Sequence, residues 1–205
     1  VIRNAWPFGM AMLAYLIYFQ SDIVLLKYLE GDTAAGLYNA AFAVMAAVYL
    51  FPSVIFQKFL LPKIHRWAHH DRNKLHKVYI RGSRSILVIG ILVAVVLWAM
   101  SSLIINVLFG ESYSKASEFI EILSISVPAM FVSFCSGAML VTKEHMKIKI
   151  YFMLVVAIFN LTANLVFIPV YGAVAAAITT VASQYLLAVL YQFGVSRLVF
   201  KNGIS

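Results

Sequence analysis

Long apolar stretches recur along the 205-residue chain, and short links between them hold most of the polar and charged residues. Six of these stretches contain roughly 18 to 25 mostly apolar residues, the length that an α-helix needs to cross a hydrocarbon core about 30 Å thick. The pattern predicts spans at residues 5–27, 34–59, 83–109, 118–142, 148–168 and 173–194. We therefore expect an integral membrane protein.

Helices account for these stretches better than β-strands do. The stretches are too long for barrel strands and lack the alternation of polar and apolar residues that such strands show. A helix also satisfies its backbone hydrogen bonds internally, as lipid requires. Pro128 predicts a kink in the fourth span, and Pro169 and Gly172 predict a tight turn before the sixth. The predicted fold class is an all-α integral membrane bundle of about six transmembrane helices.

Basic residues are concentrated at one predicted face of the membrane. The N-terminal segment and the links after the second, fourth and sixth spans hold 13 of the 16 lysines and arginines, above all the polar link at residues 63–81. The other links carry acids, among them Glu30, Asp32 and Glu111. Because lysine and arginine mark cytoplasmic loops, this link and both ends of the segment are predicted to be cytoplasmic.

Composition decides how the charge is interpreted. The chain is 63% apolar and 12% charged, whereas an average soluble domain is about half apolar and a quarter charged. The net charge of +8 would suggest a nucleic-acid partner in a soluble protein, but here it follows from the cytoplasmic lysines and arginines. We expect no nucleic-acid partner. The chain begins at Val1 without the pattern of a signal peptide, so we expect an internal piece of a longer protein.

Asp22 is the first candidate for a functional site. It lies about 25 Å along the first span, and an acid within a membrane span is by default a candidate for cation or proton coupling. Two alternatives remain open from the sequence. Asp22 could approach the outer interface, where water reaches it, or it could pair with Lys27.

Arg3 and Lys58 are candidates for a substrate path. They stand at the predicted cytoplasmic ends of the first two spans, where two cations could meet an entering diphosphate. The simpler alternative is that both side chains reach out to lipid phosphates.

Amide side chains form a third group of candidates, also for a substrate path. Asn160 and Asn164 are four residues apart and so share a helix face, with Asn160 about 18 Å into the fifth span. Gln184 is predicted at a similar depth in the sixth span, with Thr179, Thr180 and Ser183. These residues could line a cavity for sugars. They could equally form hydrogen bonds between closely packed helices, which is the simpler interpretation.

The histidines do not indicate a metal site. His65 and His69 are one helical turn apart, but Arg66, Arg72 and Lys74 surround them and no cysteine or glutamate completes a ligand set. We interpret this segment as an amphipathic stretch on the membrane surface. No nucleotide or phosphate-loop motif appears either, so we predict neither a metal nor a cofactor.

Several segments resemble one known family. They are Ser21–Leu26 (SDIVLL), Ala35–Ala41 (AGLYNAA), Leu108–Gly110 (LFG), Asn160–Leu165 (NLTANL) and Ile168–Ala177 (IPVYGAVAAA). Together they resemble the polysaccharide flippases of the multidrug/oligosaccharidyl-lipid/polysaccharide exporter superfamily. The resemblance covers nearly the whole chain and identifies it as the C-terminal lobe of a two-lobe transporter.

The resemblance implies a function and a location. Such a transporter flips a polyprenyl-diphosphate-linked oligosaccharide across the bacterial inner membrane during assembly of surface polysaccharides such as O-antigen, lipopolysaccharide or capsule. Its partners would be membrane lipid, the lipid-linked oligosaccharide, and possible assembly proteins such as a polysaccharide polymerase. A drug/cation antiporter or a peptidoglycan-precursor flippase of the same superfamily remains an alternative.

A membrane-embedded glycosyltransferase is the alternative from another class of protein. Such enzymes place an acidic pair in the first outer loop, where this chain has Glu30 and Asp32. They also carry a large outer domain, and the outer links here are only a few residues long. We therefore interpret the acids as a solvated turn and the protein as a transporter and not an enzyme.

Overall fold

The structure is a computed structural model that describes residues 20–54, 72–141 and 145–200. Within those ranges the chain is helical and contains no β-strand. The predicted all-α membrane bundle is confirmed. Arg3 and Lys58, and residues 63–71 of the predicted basic link with His65 and His69, lie outside the described residues.

Six helices make up the described part of the chain. Helix α1 comprises residues 20–30, and the others are α2 (Asp32–Val54), α3 (Arg72–Phe109), α4 (Ala116–Ser124), α5 (Val127–Met139) and α6 (Met146–Gly194). A 3₁₀ turn (Glu111–Tyr113) joins α3 to α4, and a π-helical segment (Val195–Phe200) follows α6. Helix α3 begins at Arg72, so residues 72–81 of the predicted link are helical.

Helix α6 is a hairpin of two arms that meet at Gly172. This glycine has a φ of 61° and a ψ of −147°, so the helix is interrupted there, three residues after Pro169. The ring centroids of Phe152 and Tyr191 are 6.5 Å apart, and a Cβ built on Gly194 would lie 2.9 Å from Phe152. Residues near the two far ends of α6 therefore touch, and the arms run antiparallel.

Helices α4 and α5 form a single bent unit. They meet at 51° around Ile125 and Ser126, with Pro128 in the first turn of α5, where its missing N–H costs no hydrogen bond. Pro128 thus helps to start a new helix at the place where the sequence predicts a kink. The hydroxyl of Tyr49 on α2 hydrogen-bonds that of Ser126 at 2.9 Å and ties the bend to the bundle.

Several elements are long and apolar enough to cross a membrane. They are Asp32–Val54, Asn73–Phe109 and Met146–Phe200, with the bent α4–α5 pair as a fourth. Because Met146–Phe200 folds back at Gly172, each of its arms can cross separately. Large apolar side chains on α3, such as Leu92 and Val107, are more than half exposed, as expected for a surface in contact with lipid.

All six helices contribute side chains to the interior of the bundle. It holds fully buried apolar side chains such as Leu26, Met45, Ile120 and Ile168. Helix α3 packs against α5 with almost no side chain between them, since a Cβ on Gly90 would lie 2.9 Å from the Cα of Pro128. Small residues allow this close approach, a common device in membrane bundles.

Candidate functional site

A buried carboxylate lies where α1, α2 and both arms of α6 converge. The side chain of Asp22 is 2% exposed. Its Oδ1 accepts a hydrogen bond of 2.6 Å from Asn164 Nδ2, and its Oδ2 accepts one of 3.1 Å from the Tyr38 hydroxyl. The Thr180 hydroxyl also donates to Oδ2, and the neighbouring Ser21 hydroxyl lies 3.5 Å from Oδ1.

The distances of these residues from the Gly172 turn explain why they meet at Asp22. Asn164 and Thr180 each stand eight residues from Gly172, so the antiparallel arms bring them to the same depth on either side of Asp22. Asn160, one turn from Asn164, accepts hydrogen bonds at its Oδ1 from Asn164 Nδ2 (3.2 Å) and from Ser21 (3.4 Å). Tyr38 reaches in from α2, and its hydroxyl oxygen lies 3.2 Å from that of Thr180.

Asp22 is neither exposed to solvent nor paired with Lys27 in the structure. Lys27 pairs with the exposed Asp32 instead, with 3.2 Å between Nζ and Oδ1. In the described part of the chain, no basic side chain lies within ion-pair distance of Asp22. The site is also closed to solvent. The partners that the described residues provide to the carboxylate are neutral hydroxyl and amide groups.

Two residues of the predicted amide layer, Asn160 and Asn164, are part of this site. Asn160, Asn164 and Gln184 are all 0% exposed, so in this conformation they face the bundle interior and not an open cavity. Asn160 and Asn164 share a helix face as predicted, and their side chains are bonded to each other. Their role in a substrate path stays a prediction. Tyr38 is the residue that sequence reasoning missed, although it stands in the AGLYNAA segment that carries the resemblance.

The chemistry of the site suits a proton or a small hard cation. Carboxylate, amide carbonyl and hydroxyl oxygens are the ligands that such cations prefer. The residues that the structure describes contain no group of three or more histidine, cysteine or acidic side chains that could hold a metal ion. A carboxylate in a dry interior that has hydrogen bonds but no opposite charge among the described residues is energetically unfavourable, so binding a proton or a monovalent cation would stabilise it.

A cationic surface lies at the end of α3 near Arg72. Lys74, Lys77 and Arg81 follow each other at spacings of three and four residues and so share one helix face. With Asn73 and Val78 they line a surface cavity of about 370 Å³.

Three comparisons with known proteins bear on this fold and site. A family model described as "Polysaccharide biosynthesis protein" matches residues 2–118. An uncharacterized membrane protein, MJ1068, of Methanocaldococcus jannaschii is 28% identical over an aligned length of 200 residues, and the match covers 91% of this chain and 38% of the relative. This chain therefore spans well under half of that relative's length.

The third comparison concerns the fold. A solved structure of the outward-facing conformation of a multidrug resistance MATE family transporter, of the MOP superfamily, superposes with a TM-score of 0.72. The match covers 98% of this chain and 45% of that transporter, at 18% sequence identity. At this identity the likeness shows the fold alone.

Proposed function

The chain belongs to the polysaccharide biosynthesis protein family, and we propose that it forms one lobe of a flippase that translocates a polyprenyl-diphosphate-linked oligosaccharide. The family and the fold likeness support a membrane protein with a transporter role. The lipid-linked substrate is the proposed step beyond them. A long-chain lipid with a polar head is the kind of intermediate that polysaccharide assembly needs to move across a bilayer.

We further propose that Asp22 binds the coupling ion. The observation that carries this proposal is a buried carboxylate whose partners among the described residues are neutral and come from α1, α2 and the two arms of α6. Charging or neutralising Asp22 changes the stability of the contacts between these helices. An ion that binds there can therefore bias the lobe between two packing arrangements.

Cations at the predicted cytoplasmic face are proposed to receive the diphosphate. Arg3 and Lys58 keep this role as candidates. The cavity beside Lys74, Lys77 and Arg81 provides further positive charge at the same predicted face of the lobe. Guanidinium and ammonium groups are suited to phosphate oxygens because they form charge-assisted hydrogen bonds.

The remaining details follow from the same proposal. The protein would work as a two-lobe transporter in the bacterial inner membrane, with both ends of this segment in the cytoplasm and a polysaccharide polymerase among possible partners. The products would be O-antigen, lipopolysaccharide or capsule.

A cation-coupled drug antiporter is the second candidate, favoured by the fold likeness to a multidrug resistance transporter. The glycosyltransferase alternative has less support, because the Glu30 carboxylate packs against the Gly172 turn.

Replacing Asp22 tests the coupling proposal. We expect Asp22→Asn to abolish accumulation of surface polysaccharide in cells that depend on the full-length protein, because the amide cannot take up a proton or balance a cation. Asp32→Asn is the matched control, since it makes the same change ten residues away at an exposed ion pair. Transport is measured at equal membrane abundance of each variant. Parent-like transport by Asp22→Asn would contradict the proposal.

A second readout separates the two candidate substrates. A flippase without activity leaves its lipid-linked oligosaccharide in the inner leaflet, where it can be extracted and quantified. Accumulation of that intermediate in the Asp22→Asn strain supports the flippase. Increased sensitivity to a cationic drug, with no change in the intermediate, supports the antiporter.

A further inference from the structure

Unpartnered polar atoms are buried in the Asp22 site and one helical turn beyond it. Within the described ranges, five such atoms belong to side chains of α6: Asn160 Nδ2, Asn164 Oδ1, Ser183 Oγ, and both Nε2 and Oε1 of Gln184. All four side chains are 0% exposed. Buried amides and hydroxyls almost always have a hydrogen-bond partner, so a cluster of unpartnered ones needs an explanation.

The hairpin brings Asn160 and Gln184 to the same distance from the Gly172 turn. Asn160 and Gln184 each stand twelve residues from Gly172, on opposite arms, and are thus about 18 Å from the turn. Asn164 and Thr180 stand eight residues from it, about 12 Å away. The second layer therefore lies about 6 Å from the first, on the side away from Gly172.

A chain of hydrogen bonds connects the two layers. Asn164 Nδ2 donates both to Asp22 Oδ1 (2.6 Å) and to Asn160 Oδ1 (3.2 Å). The side-chain nitrogen of Asn160, Nδ2, is therefore the last group in the series of hydrogen-bonded side chains that starts at Asp22. It belongs to the unpartnered set, together with the whole carboxamide of Gln184.

The unpartnered atoms include both hydrogen-bond donors and acceptors, which indicates the kind of group that could bind between them. Asn160 Nδ2 and Gln184 Nε2 can only donate, whereas Gln184 Oε1 can only accept. A bare cation would satisfy the carbonyl oxygens but be repelled by the two N–H groups, and an anion would meet the opposite problem. Water donates two hydrogen bonds and accepts two, so it satisfies both kinds of atom.

We propose that Asn160, Ser183 and Gln184 form a water-binding pocket adjacent to Asp22, and that its water solvates the coupling ion as the ion enters or leaves. An ion in transit loses hydration that the dry interior cannot replace, and water one turn away supplies part of it. The role in ion passage rests on the proposed coupling at Asp22. The presence of water in the pocket does not.

The pocket itself is tested by locating water in an experimental structure of the full-length protein. We expect at least one ordered water within hydrogen-bond distance of the Gln184 carboxamide in the parent, and none there in Gln184→Leu. A dry site in which Gln184 bonds directly to Asn160 would overturn the proposal. This readout does not depend on the identity of the coupling ion.

The role of the pocket is tested with sodium as the probe. The protein in vesicles is assayed for exchange of ²²Na⁺, and in detergent for the rise in Tm that NaCl gives relative to choline chloride. We expect Gln184→Leu to slow exchange about tenfold, the rate equivalent of one lost hydrogen bond, and to keep the rise in Tm. Gln192→Leu, the same change at an exposed position of the same helix, should alter neither.

The possible outcomes separate the two proposals. Unchanged exchange in Gln184→Leu overturns the role of the pocket, and loss of the rise in Tm overturns it as well, because Gln184 would then be an ion ligand. If the parent contains the water but Asp22→Asn transports like the parent, the coupling proposal fails and the water pocket stands. Ser183→Ala, a smaller change in the same layer, gives the same tests if Gln184→Leu does not fold.

Discussion

Tyr38 connects three elements of the site through one hydroxyl group. Its oxygen is 3.1 Å from Asp22 Oδ2 and 3.2 Å from Thr180 Oγ1, so it joins α1 to the second arm of α6. Its ring has separate contacts, with centroids 6.5 Å from Phe42 and 5.8 Å from Phe119. The packing of the ring and the chemistry of the hydroxyl can thus be separated by removing one oxygen.

Tyr38→Phe is expected to impair transport more than stability. The ring contacts remain, and losing one hydrogen bond costs about 1 kcal/mol of unfolding free energy. Transport should fall about tenfold, because the carboxylate loses one of the few groups that orient it. The measurements are thermal unfolding in detergent and surface polysaccharide at equal membrane abundance.

Tyr49→Phe is the matched control for this prediction. It removes the same oxygen from the same helix, but that hydroxyl bonds Ser126 at the α4–α5 bend and not Asp22. We expect a similar loss of stability and nearly normal transport. Equal transport by the two variants would mean that Tyr38 acts through general packing and not through Asp22.

At the scale of elements, the Gly172 turn sets the register of the site. Asn164 and Thr180 meet at Asp22 because they are equally distant from this turn along antiparallel arms. The combination of φ 61° and ψ −147° is almost exclusive to glycine. The Glu30 carboxylate also occupies the space beside it, 3.3 Å from where a Cβ would be.

Gly172→Ala is therefore expected to destabilise the protein. Forcing a side chain into this conformation costs roughly 1 to 3 kcal/mol, which thermal unfolding in detergent would report as a lower Tm. Gly82→Ala in α3 is the control, because a Cβ there meets nothing within 4 Å. It should be neutral or stabilise by up to about 1 kcal/mol. If Gly172→Ala is as stable as the parent, the turn does not need its positive φ.

The turns and bends between helices could be predicted from the sequence where a proline or glycine marks them. Pro169 and Gly172 predict the hairpin turn, because each restricts or frees the backbone at its own position. The fourth stretch is predicted as one span at residues 118–142 with a kink at Pro128, and the structure has two helices there that meet at 51°. Pro128 is the local signal for this bend. Apolar length alone does not distinguish a straight span from a bent one, since lipid accepts both.

At the scale of the whole molecule, most of the site residues could be predicted from the sequence, but the contacts between them could not. Asp22 and the two asparagines stand out because polar groups are rare within membrane spans. Their contact joins residues 142 positions apart, and neither depth nor periodicity specifies which helices pack together. Tyr38 gave no signal, because tyrosine is common in membrane helices for reasons of packing and interfacial anchoring.

The orientation of the whole molecule in the membrane can be inferred from the charges at the two ends of helix α3. Its residues 73–109 extend over about 54 Å, more than the hydrocarbon core, so the two ends emerge on opposite sides if the helix crosses. Lys74, Lys77 and Arg81 stand at one end, whereas Glu111 and Glu118 follow the other. Positive charge is retained on the cytoplasmic side, which predicts that the Arg72 end is cytoplasmic.

Single cysteines at Asn73 and Ser112 test this orientation. Both positions are exposed, and the buried Cys135 is first replaced by alanine to give a background without cysteine. In intact cells, a membrane-impermeant maleimide should label Ser112→Cys and not Asn73→Cys, and in inverted vesicles the pattern should be reversed. The cysteine-free parent controls for background labelling. Labelling of both positions from one side would mean that α3 does not cross the membrane, and the predicted six-span topology would then be wrong.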